Sequence, residues 1–361
     1  MNIHAATKSY EEWLGERTTL VQADLDFKHQ QMATGAFPFL RATFYRWAQV
    51  FPEVCPEIAD APALLAVGDL HVANFGTWRD AEGRLIWGVN DFDEAHRMPY
   101  TLDLVRLAVS ASLSEGIASK NGAACEAILD GYEAGLKAGG KPFVLAEDNL
   151  WLRGFAQKSL ADPSAFWEKM GALPKAEKDV PHSAREGIAH LLPHPHPPFR
   201  VFSRRSGLGS LGHQRFVGIA DWKGGQVARQ AKALVPSARL WAEKKSGPHE
   251  ILYQALLTDA VRCRDPYVEL RGEWVLRRLA PDCVRISLTS LPDAKDELRL
   301  LRAMGWETAN VHLGTPAALK AVRHHLEHQP KSWLARAAEA MEDATERDWK
   351  AWSENKGPVR K

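Results

Sequence analysis

The sequence predicts an α+β protein in which a β-rich region lies between two helical regions. Apolar residues recur at three- and four-residue spacing in residues 1–60, in 101–139 and from about 293 onward, as on one face of an α-helix. Between about 200 and 285 they alternate instead, as in half-buried strands, and glycines separate the runs. With 361 residues, the chain is long enough for two or three domains or lobes around a substantial core.

The composition is that of an ordinary globular protein, with 45% apolar and 25% charged residues. A net charge of +1 gives no electrostatic reason to expect nucleic acid or an anionic membrane as partner. The four cysteines lie far apart without a CxxC pair, which favours free thiols in a reducing compartment. The N-terminus lacks the apolar core of a signal peptide, and no apolar run approaches the ~20 residues that span a bilayer. We therefore expect a cytoplasmic protein, while its oligomeric state is left open.

The predicted elements follow from local patterns. "FPFLRATFYRWAQVF" (37–51) is the clearest amphipathic helix, and "ALLAVGD" is a short apolar run stopped by Gly68, as in a buried strand. A tight turn at Asp80–Gly83 precedes the β-rich run "GRLIWGVNDFDE". The proline-rich "HLLPHPHPPF" (190–199) predicts a connector. After it we expect a hairpin with its turn at Lys223–Gly225, and then the strands "YVELRG" and "EWVLRRL".

Polar side chains gather in "VGDLHVANFGTW" (67–78), where the hydrophobic pattern otherwise indicates the edge of the core. Asn74 follows Asp69 by five positions, and Asp91 follows Asn74 by seventeen. Phosphoryl transfer from ATP uses such a set: one carboxylate orients the acceptor hydroxyl and takes its proton, while an asparagine and a second aspartate hold Mg²⁺. A calcium-like or merely hydrogen-bonded acidic turn is the alternative.

Three stretches carry a resemblance to known phosphotransferases. "GDLHVANF" resembles the His-Gly-Asp-Leu-His-x-x-Asn catalytic loop of aminoglycoside and choline phosphotransferases, with Val67 in place of the first histidine. "GVNDFDEA" resembles their metal-binding strand, and "MPYTLDLVRLA" the following helix, whose aspartate (here Asp103) braces the loop. More closely, residues 32–110 resemble a bacterial domain-of-unknown-function family (two-two-five-two) in the kinase-like clan, with "FPFLRA" matching its Phe-Ala-Phe-Leu-Arg helix.

The resemblance implies a role for each polar residue. Asp69 would be the catalytic base, and Asn74 and Asp91 would hold the metal. His71 either touches substrate phosphate or hydrogen-bonds within the loop to hold Asp69, and we favour the second role. Asp93 and its neighbour Glu94 could each add a metal ligand, with Asp93 the candidate, although solvated charges at the rim are the default expectation for both.

A glycine-rich stretch, "GLGSLG" (207–212), has the form Gly-x-Gly-x-x-Gly. A dinucleotide-binding loop would be followed by a helix, but "HQRFVGIADWKGG" runs as a strand into a turn, so we exclude that function. The order strand, glycine loop, strand, turn, strand is that of a kinase small lobe. A plain antiparallel sheet with glycines in its turns is the alternative. The residues expected to cover the phosphates are Gly207, Gly209, Ser210 and Gly212.

Lys232 follows Gly212 by twenty positions, where a kinase places its phosphate-binding lysine. Gln230, two residues earlier on the strand, would point the same way and roof the adenine pocket. The backbone around Leu279–Pro281 would meet the edge of the adenine. Either Glu243 or Glu250 would pair with Lys232, and we slightly favour Glu250.

These parts predict a protein-kinase-like two-lobed fold whose chain order is circularly permuted. Residues 1–199 form the helical large lobe with the catalytic loop, 200–285 the β-rich nucleotide-binding lobe, and 286–361 the helices that complete the large lobe. The expected function is ATP- and Mg²⁺-dependent phosphoryl transfer to a hydroxyl. Asp103 follows Asp91 by only twelve positions, too few for a peptide-binding segment, so we expect a small hydroxylated acceptor. Nucleotidyl transfer on the same fold and a non-catalytic nucleotide-binding regulator are the alternatives.

Overall fold

A computed structural model describes residues 1–114, 121–176, 179–245, 250–286, 291 and 293–354. The N-terminal half is mainly helical, with two small sheets. Its elements are α1 (Ile3–Gly15), α2 (Gln22–Met32), α3 (Ala36–Ala42), α4 (Phe44–Val54), α5 (Pro56–Ala59), β1 (Ala63–Ala66), β2 (Phe75–Arg79), β3 (Leu85–Val89), β4 (His96–Pro99), α6 (Tyr100–Ser112), α7 (Asn121–Ala138), β5 (Phe143–Val144), α8 (Leu150–Ser159), α9 (Pro163–Gly171) and α10 (His182–Leu191).

The remaining elements form a β-rich region and then a helical one. They are β6 (Phe199–Ser203), β7 (Arg215–Trp222), β8 (Gly225–Ala233), α11 (Arg239–Ala242), α12 (Tyr253–Asp259), β9 (Glu269–Arg271), β10 (Trp274–Leu279), α13 (Ala294–His312), α14 (Leu319–Glu327) and α15 (Trp333–Glu354). The predicted mixed α+β class is therefore confirmed. Part of the helix predicted after residue 100, residues 115–120, and the C-terminal residues 355–361 lie outside the described residues.

The main core surrounds α6, which is buried continuously from Tyr100 to Ala111. Helices α7 and α13 pack against each other at very short distance beside it. A Cβ atom at Gly131 would lie 1.9 Å from the Arg302 carbonyl oxygen, and one at Gly305 would lie 2.0 Å from the Ile128 carbonyl oxygen. Only glycine allows two helix backbones to approach this closely. No helix in the described part of the chain is long and apolar enough to cross a membrane.

Two small antiparallel sheets position the acidic residues. Strand β1, predicted from "ALLAVGD", pairs with β4, and β2 pairs with β3, to which β5 adds. The predicted turn closes the β2–β3 hairpin, because the Gly83 N–H donates to the Asp80 carbonyl. At the opposite end of this hairpin the Asn90 N–H donates to the Asn74 carbonyl at 3.0 Å. The pairing brings Asp91 beside the loop that carries Asp69.

The β-rich region forms one antiparallel sheet of five strands in the order β6-β7-β8-β10-β9. Lys223 and Gly224, both with positive φ, make the predicted turn between β7 and β8. Helix α10 covers one face through Ile188 and its neighbours. Successive side chains of a strand point to opposite faces of the sheet, so Gln230 and Lys232 both lie on the face away from α10. On this face Arg215 of β7 is paired with Lys232, and Arg277 of β10 is paired with Gln230.

Candidate functional site

The loop after β1 is held by a buried carboxylate of α6. Asp103 accepts hydrogen bonds from the backbone N–H groups of Val67 and Gly68, both at 2.8 Å. His312 of α13 lies 3.0 Å from the same carboxylate. Gly68 has φ +82°, and a Cβ atom there would lie 2.6 Å from the Glu94 carbonyl oxygen, so the turn requires glycine. These contacts fix the backbone on which Asp69 stands.

Asp69 is paired with a fully buried arginine of α6. The Arg106 Nε donates to Asp69 Oδ1 at 2.9 Å, and its Nη2 donates to the same oxygen. The guanidinium lies over the rings of Phe44 and Trp47. Burial raises the pKa of Asp69 to about 6, although Arg106 acts in the opposite direction. Because Oδ1 is occupied, Oδ2 is the oxygen available to a substrate.

Asn74 and His71 order the same loop. The Asn74 Nδ2 donates to the Asp69 carbonyl oxygen at 3.0 Å, so its Oδ1 is the atom available to a metal. His71 Nδ1 accepts the Ala73 N–H at 3.2 Å, while its Nε2 lies 4.0 Å from Asp69 Oδ2. Burial lowers the pKa of His71 well below its usual value, and it is therefore neutral at pH 7. His71 thus makes a hydrogen bond within the loop, but it reaches the backbone and not the Asp69 carboxylate.

Lys232 of β8 joins the two aspartates that follow β3. Its Nζ donates to Asp91 Oδ1 at 3.2 Å and to both oxygens of Asp93, and the lysine is 1% exposed. Burial and the neighbouring Asp91 charge raise the pKa of Asp93 to about 6. Burial disfavours the charge of Asp91 as well, but the Lys232 ammonium holds the pKa of Asp91 well below its usual range. The contact with Lys232 therefore favours the ionised form of Asp91, whereas burial and the Asp91 charge favour the protonated form of Asp93.

The glycine loop between β6 and β7 lies against Asp69. A Cβ atom at Gly209 would lie 3.2 Å from Asp69 Oδ2, and the Gly209 carbonyl accepts the Lys28 Nζ at 2.9 Å. Gly207 and Gly212 both have positive φ, which lets the loop turn over the aspartate. The Ser210 hydroxyl accepts the Arg215 Nη2 at 2.7 Å. Residues 140 positions apart in the chain are thereby in contact.

Neither glutamate suggested as the partner of Lys232 contacts it. Glu243 pairs with Arg239 and Lys245, and Glu250 is exposed. The expectation of a lysine–glutamate pair is not met by the structure because Asp91 and Asp93 lie closer to the lysine and compensate its charge.

The residues after Asp91 are not solvated rim charges either. Glu94 is partly buried and accepts hydrogen bonds from the Ser237 hydroxyl at 2.8 Å and the Ala238 N–H at 2.7 Å. Burial raises its pKa to about 7. Asp93 has only 17% of its side chain exposed. The rim interpretation is therefore wrong for both, since the chain packs a short segment after β8 against them.

Two cavities meet at this site. We call the first the aspartate cavity; its lining includes Lys28, Arg41, Asp69, His71, Asn74, Asp91, Asp93, Glu94, Gly207, Gly209 and Ser210. We call the second the arginine cavity; its lining includes Asp91, Arg204, Gly207, Arg215, Gln230, Arg262, Arg277, Arg278, Leu279 and Arg285. Asn90, Asp91, Gly207 and Arg285 line both, so a ligand in one is adjacent to a ligand in the other.

Sequence reasoning missed Arg106, the partner of Asp69, and most of the basic residues that line these cavities. Arg106 lies inside the quoted stretch "MPYTLDLVRLA" and Arg41 inside "FPFLRA". An arginine within an apolar run that must be buried requires an acidic or anionic partner, and this signal was available. Arg215 and Arg277 carry no such local signal, because an arginine in a strand of an antiparallel sheet can also face solvent.

The donor set suits a hard divalent cation. The carboxylates of Asp91 and Asp93 and the amide oxygen of Asn74 line one cavity, and such oxygens are the ligands that Mg²⁺ takes in proteins. Among the residues that the structure describes, no group of three or more histidine, cysteine, aspartate or glutamate side chains is placed to hold a metal. The set here has two carboxylates, whose charge Lys232 partly balances, and an amide. It fits a metal that is also held by a substrate phosphate.

Comparison with known proteins identifies one relationship. Residues 20–149 match the model of a family described as "Uncharacterized protein conserved in bacteria (DUF2252)". The match confirms the predicted resemblance to this bacterial family over a segment that contains Asp69, Asn74, Asp91 and Asp103. It ends before the five-stranded sheet begins. No curated protein and no solved structure matches the chain.

Proposed function

We propose that this protein is an ATP- and Mg²⁺-dependent phosphotransferase that acts on a hydroxyl of a small acceptor. The single observation that carries the proposal is the contact between distant parts of the chain: Lys232 binds Asp91 and Asp93, and the glycine loop lies on Asp69. Four features that phosphoryl transfer uses are therefore in contact: a candidate base, metal-binding oxygens, a lysine and a glycine loop.

In the proposed reaction, Asp69 is the general base. Its Oδ2 accepts the proton of the acceptor hydroxyl, while Arg106 on Oδ1 keeps the carboxylate in place. The acceptor oxygen forms a bond to the γ-phosphorus as the bond from that phosphorus to the ADP oxygen breaks, and ADP leaves with the electron pair. A raised pKa of about 6 keeps Asp69 ionised at pH 7 and still basic enough to take the proton.

Asp91, Asp93 and Asn74 would hold Mg²⁺, which neutralises charge on the phosphates when it is bound. Lys232 is a compact cation on a long stem, suited to the α- and β-phosphates. In the described structure the same ammonium is hydrogen-bonded to Asp91 and Asp93 and partly balances their charge. Lys232 would therefore be shared between these carboxylates and the incoming phosphates, which ties donor binding to metal binding.

The same contacts support a kinase-like, circularly permuted fold. The glycine loop joins the first two strands of the five-stranded sheet, and Lys232 lies on the third. The β2–β3 hairpin separates Asn74 from Asp91, as in the phosphotransferases that the sequence resembles. The sheet follows the catalytic loop in sequence but covers it in space, as a permuted order requires.

The walls of the aspartate cavity favour a small acceptor. Lys28, Tyr10 and Tyr45 come from helices near the N-terminus and line it together with Glu94 and the glycine loop. Lys28 is 4% exposed, and Tyr10 and Tyr45 are 5% and 2% exposed. A cavity enclosed by buried side chains accommodates a metabolite better than a protein segment.

Transfer of label from ATP tests the proposal. The full-length protein is incubated with a metabolite extract, Mg²⁺ and γ-labelled ATP, alongside the Asp91→Ala variant and the control Asp221→Ala, which changes an exposed aspartate of the β7–β8 hairpin. We expect a labelled product with the wild type and the control and none with Asp91→Ala. Label from α-labelled ATP in the product would indicate nucleotidyl transfer instead. Nucleotide binding without any labelled product would contradict the enzyme and favour a non-catalytic regulator.

A further inference from the structure

The arginine cavity has an excess of positive charge. Six arginines line it, against the two acidic residues Asp91 and Asp265. Within the described ranges only one of the six, Arg278, forms an ion pair, with Asp265 at 3.5 Å. Asp91 is already engaged with Lys232. The arginines without an ion pair there are Arg204, Arg215, Arg262, Arg277 and Arg285.

Several buried donors in this cavity have no acceptor. The Nε and Nη1 of Arg262, the Nε of Arg278 and the Nε2 of Gln230 are all buried without a hydrogen-bond partner. Gln230 itself is 1% exposed, and its Oε1 accepts the Arg204 Nη1 at 2.9 Å. Leaving such donors unpaired costs free energy. A ligand that carries several anionic oxygens would satisfy them.

The charges also repel one another in the described structure. Burial lowers the pKa of Arg204 to about 10, and the neighbouring Arg215, Arg277 and Arg285 add to this effect. Guanidinium groups bind phosphate oxygens with two parallel hydrogen bonds, which suits them to a polyphosphate chain. The cavity adjoins Asp91 and Gly207, where the proposed transfer takes place.

Part of the backbone that would face a nucleotide base is hydrogen-bonded within the protein. The Ala161 N–H donates to the Pro281 carbonyl at 3.2 Å, and the Cys283 N–H donates to the Ala280 carbonyl at 3.1 Å. Pro281 has no N–H to offer. Two of the carbonyls expected to face an adenine edge are thus used internally.

Helix α9 covers the apolar part of the same sheet face. Phe166 and Trp167 pack with the buried Val217, Ile219 and Ala228. The part of this face that lines the cavity carries Gln230, with Arg215 and Arg277 on the neighbouring strands and Leu279 at its edge. Trp78 and Phe92 also line the cavity, and the Arg262 guanidinium lies over both rings. Arginine and amide donors bind anionic oxygens, whereas an adenine ring prefers apolar surfaces above and below it.

We infer that the arginine cavity binds a linear phosphoanhydride chain of three phosphates through its oxygens, without recognition of a base. Nucleoside triphosphates of any base and inorganic tripolyphosphate share this chemistry. The inference deepens the proposed function because it names the class of phosphoryl donor. It rests on that function only for the claim that the bound polyphosphate donates a phosphoryl group.

Calorimetric titration of the full-length protein with ATP, GTP and inorganic tripolyphosphate in the presence of Mg²⁺ tests the inference. We expect the three dissociation constants to agree within about tenfold, because the shared phosphate oxygens make the contacts. The Arg277→Ala variant should weaken all three by about tenfold or more. The control Arg153→Ala, an exposed arginine of α8, should change none of them.

A second variant keeps the test valid if Arg277→Ala fails to fold. Gln230→Glu places a carboxylate among the arginines, so it should raise the melting temperature of the free protein and weaken tripolyphosphate binding by about tenfold or more. ATP binding that is more than about a hundredfold tighter than binding of GTP and tripolyphosphate would overturn the inference. Unchanged tripolyphosphate affinity in Gln230→Glu would also overturn it.

The outcomes separate this inference from the proposed function. If ATP alone binds and its label reaches a product, the inference fails and the phosphotransferase stands. If all three polyphosphates bind through Arg277 and no label is ever transferred, the inference stands and the phosphotransferase fails.

Discussion

The aspartate cavity and the arginine cavity share a wall but differ in how their charges are compensated. In the first, Asp69 is paired with Arg106, and Asp91 and Asp93 are paired with Lys232. In the second, most guanidinium groups have no ion-pair partner within the described residues, and several of their donors are unpaired. Paired charges hold side chains in one geometry, which chemistry requires, whereas unpaired buried donors gain most from a bound anion.

Replacement of Asp69 should distinguish the roles of the two cavities most clearly, because it affects the rate of transfer and not the binding of nucleotide. Asp69→Asn is expected to lower the rate of phosphoryl transfer on the order of 10²–10⁴-fold, because it removes the group that takes the acceptor proton. Binding of ATP with Mg²⁺ should be about normal, since the arginine cavity is untouched. Rate measurements at saturating ATP, together with titration of the nucleotide, check both parts. Turnover that survives within a few-fold would show that Asp69 is not the base.

The loop that carries Asp69 in the aspartate cavity should be destabilised when Asp103 is replaced. Asp103→Ala leaves two buried backbone N–H groups and His312 without their acceptor, so we expect a loss of about 3 kcal/mol in the free energy of unfolding. Urea unfolding of this variant and of the control Asp221→Ala measures the effect. The control should lose less than about 0.5 kcal/mol, as exposed substitutions do. If Asp103→Ala lowers the free energy of unfolding by less than about 1 kcal/mol, as surface substitutions do, Asp103 does not brace the loop after β1.

The rate of phosphoryl transfer should depend on pH through the aspartate cavity alone. Burial raises the pKa of Asp69 to about 6, and only the ionised carboxylate accepts a proton, so the rate should fall as the pH drops below 6. The expected decrease is about tenfold for each pH unit well below the pKa. The ratio of the wild-type rate to the Asp69→Asn rate, measured from pH 4.5 to 8, cancels the titration of the substrates. A ratio that is constant with pH would exclude Asp69 as the titrating group.

Local sequence determined many parts of this protein. The β1 strand, the turns at Asp80–Gly83 and Lys223–Gly225 and the glycine loop were all predicted from neighbouring residues. Asp69, Asn74 and Asp91, which line one cavity, were singled out from two motifs that lie within twenty-three positions of sequence. Such signals depend on backbone conformation and on short-range periodicity, which a contiguous stretch of residues contains.

Tertiary structure alone decided which charges meet. The partner of Lys232 was expected on the following helical stretch, yet Asp91 and Asp93 bind it from about 140 positions away. The arginine cavity collects side chains from β7, β8, β10 and the loops around them, and α9 packs on the apolar part of the same sheet face. Ion pairs and cavities form between the groups that the packed core brings within a few ångströms of each other. This proximity depends on how all the elements between the groups pack, which the sequence next to each group does not contain.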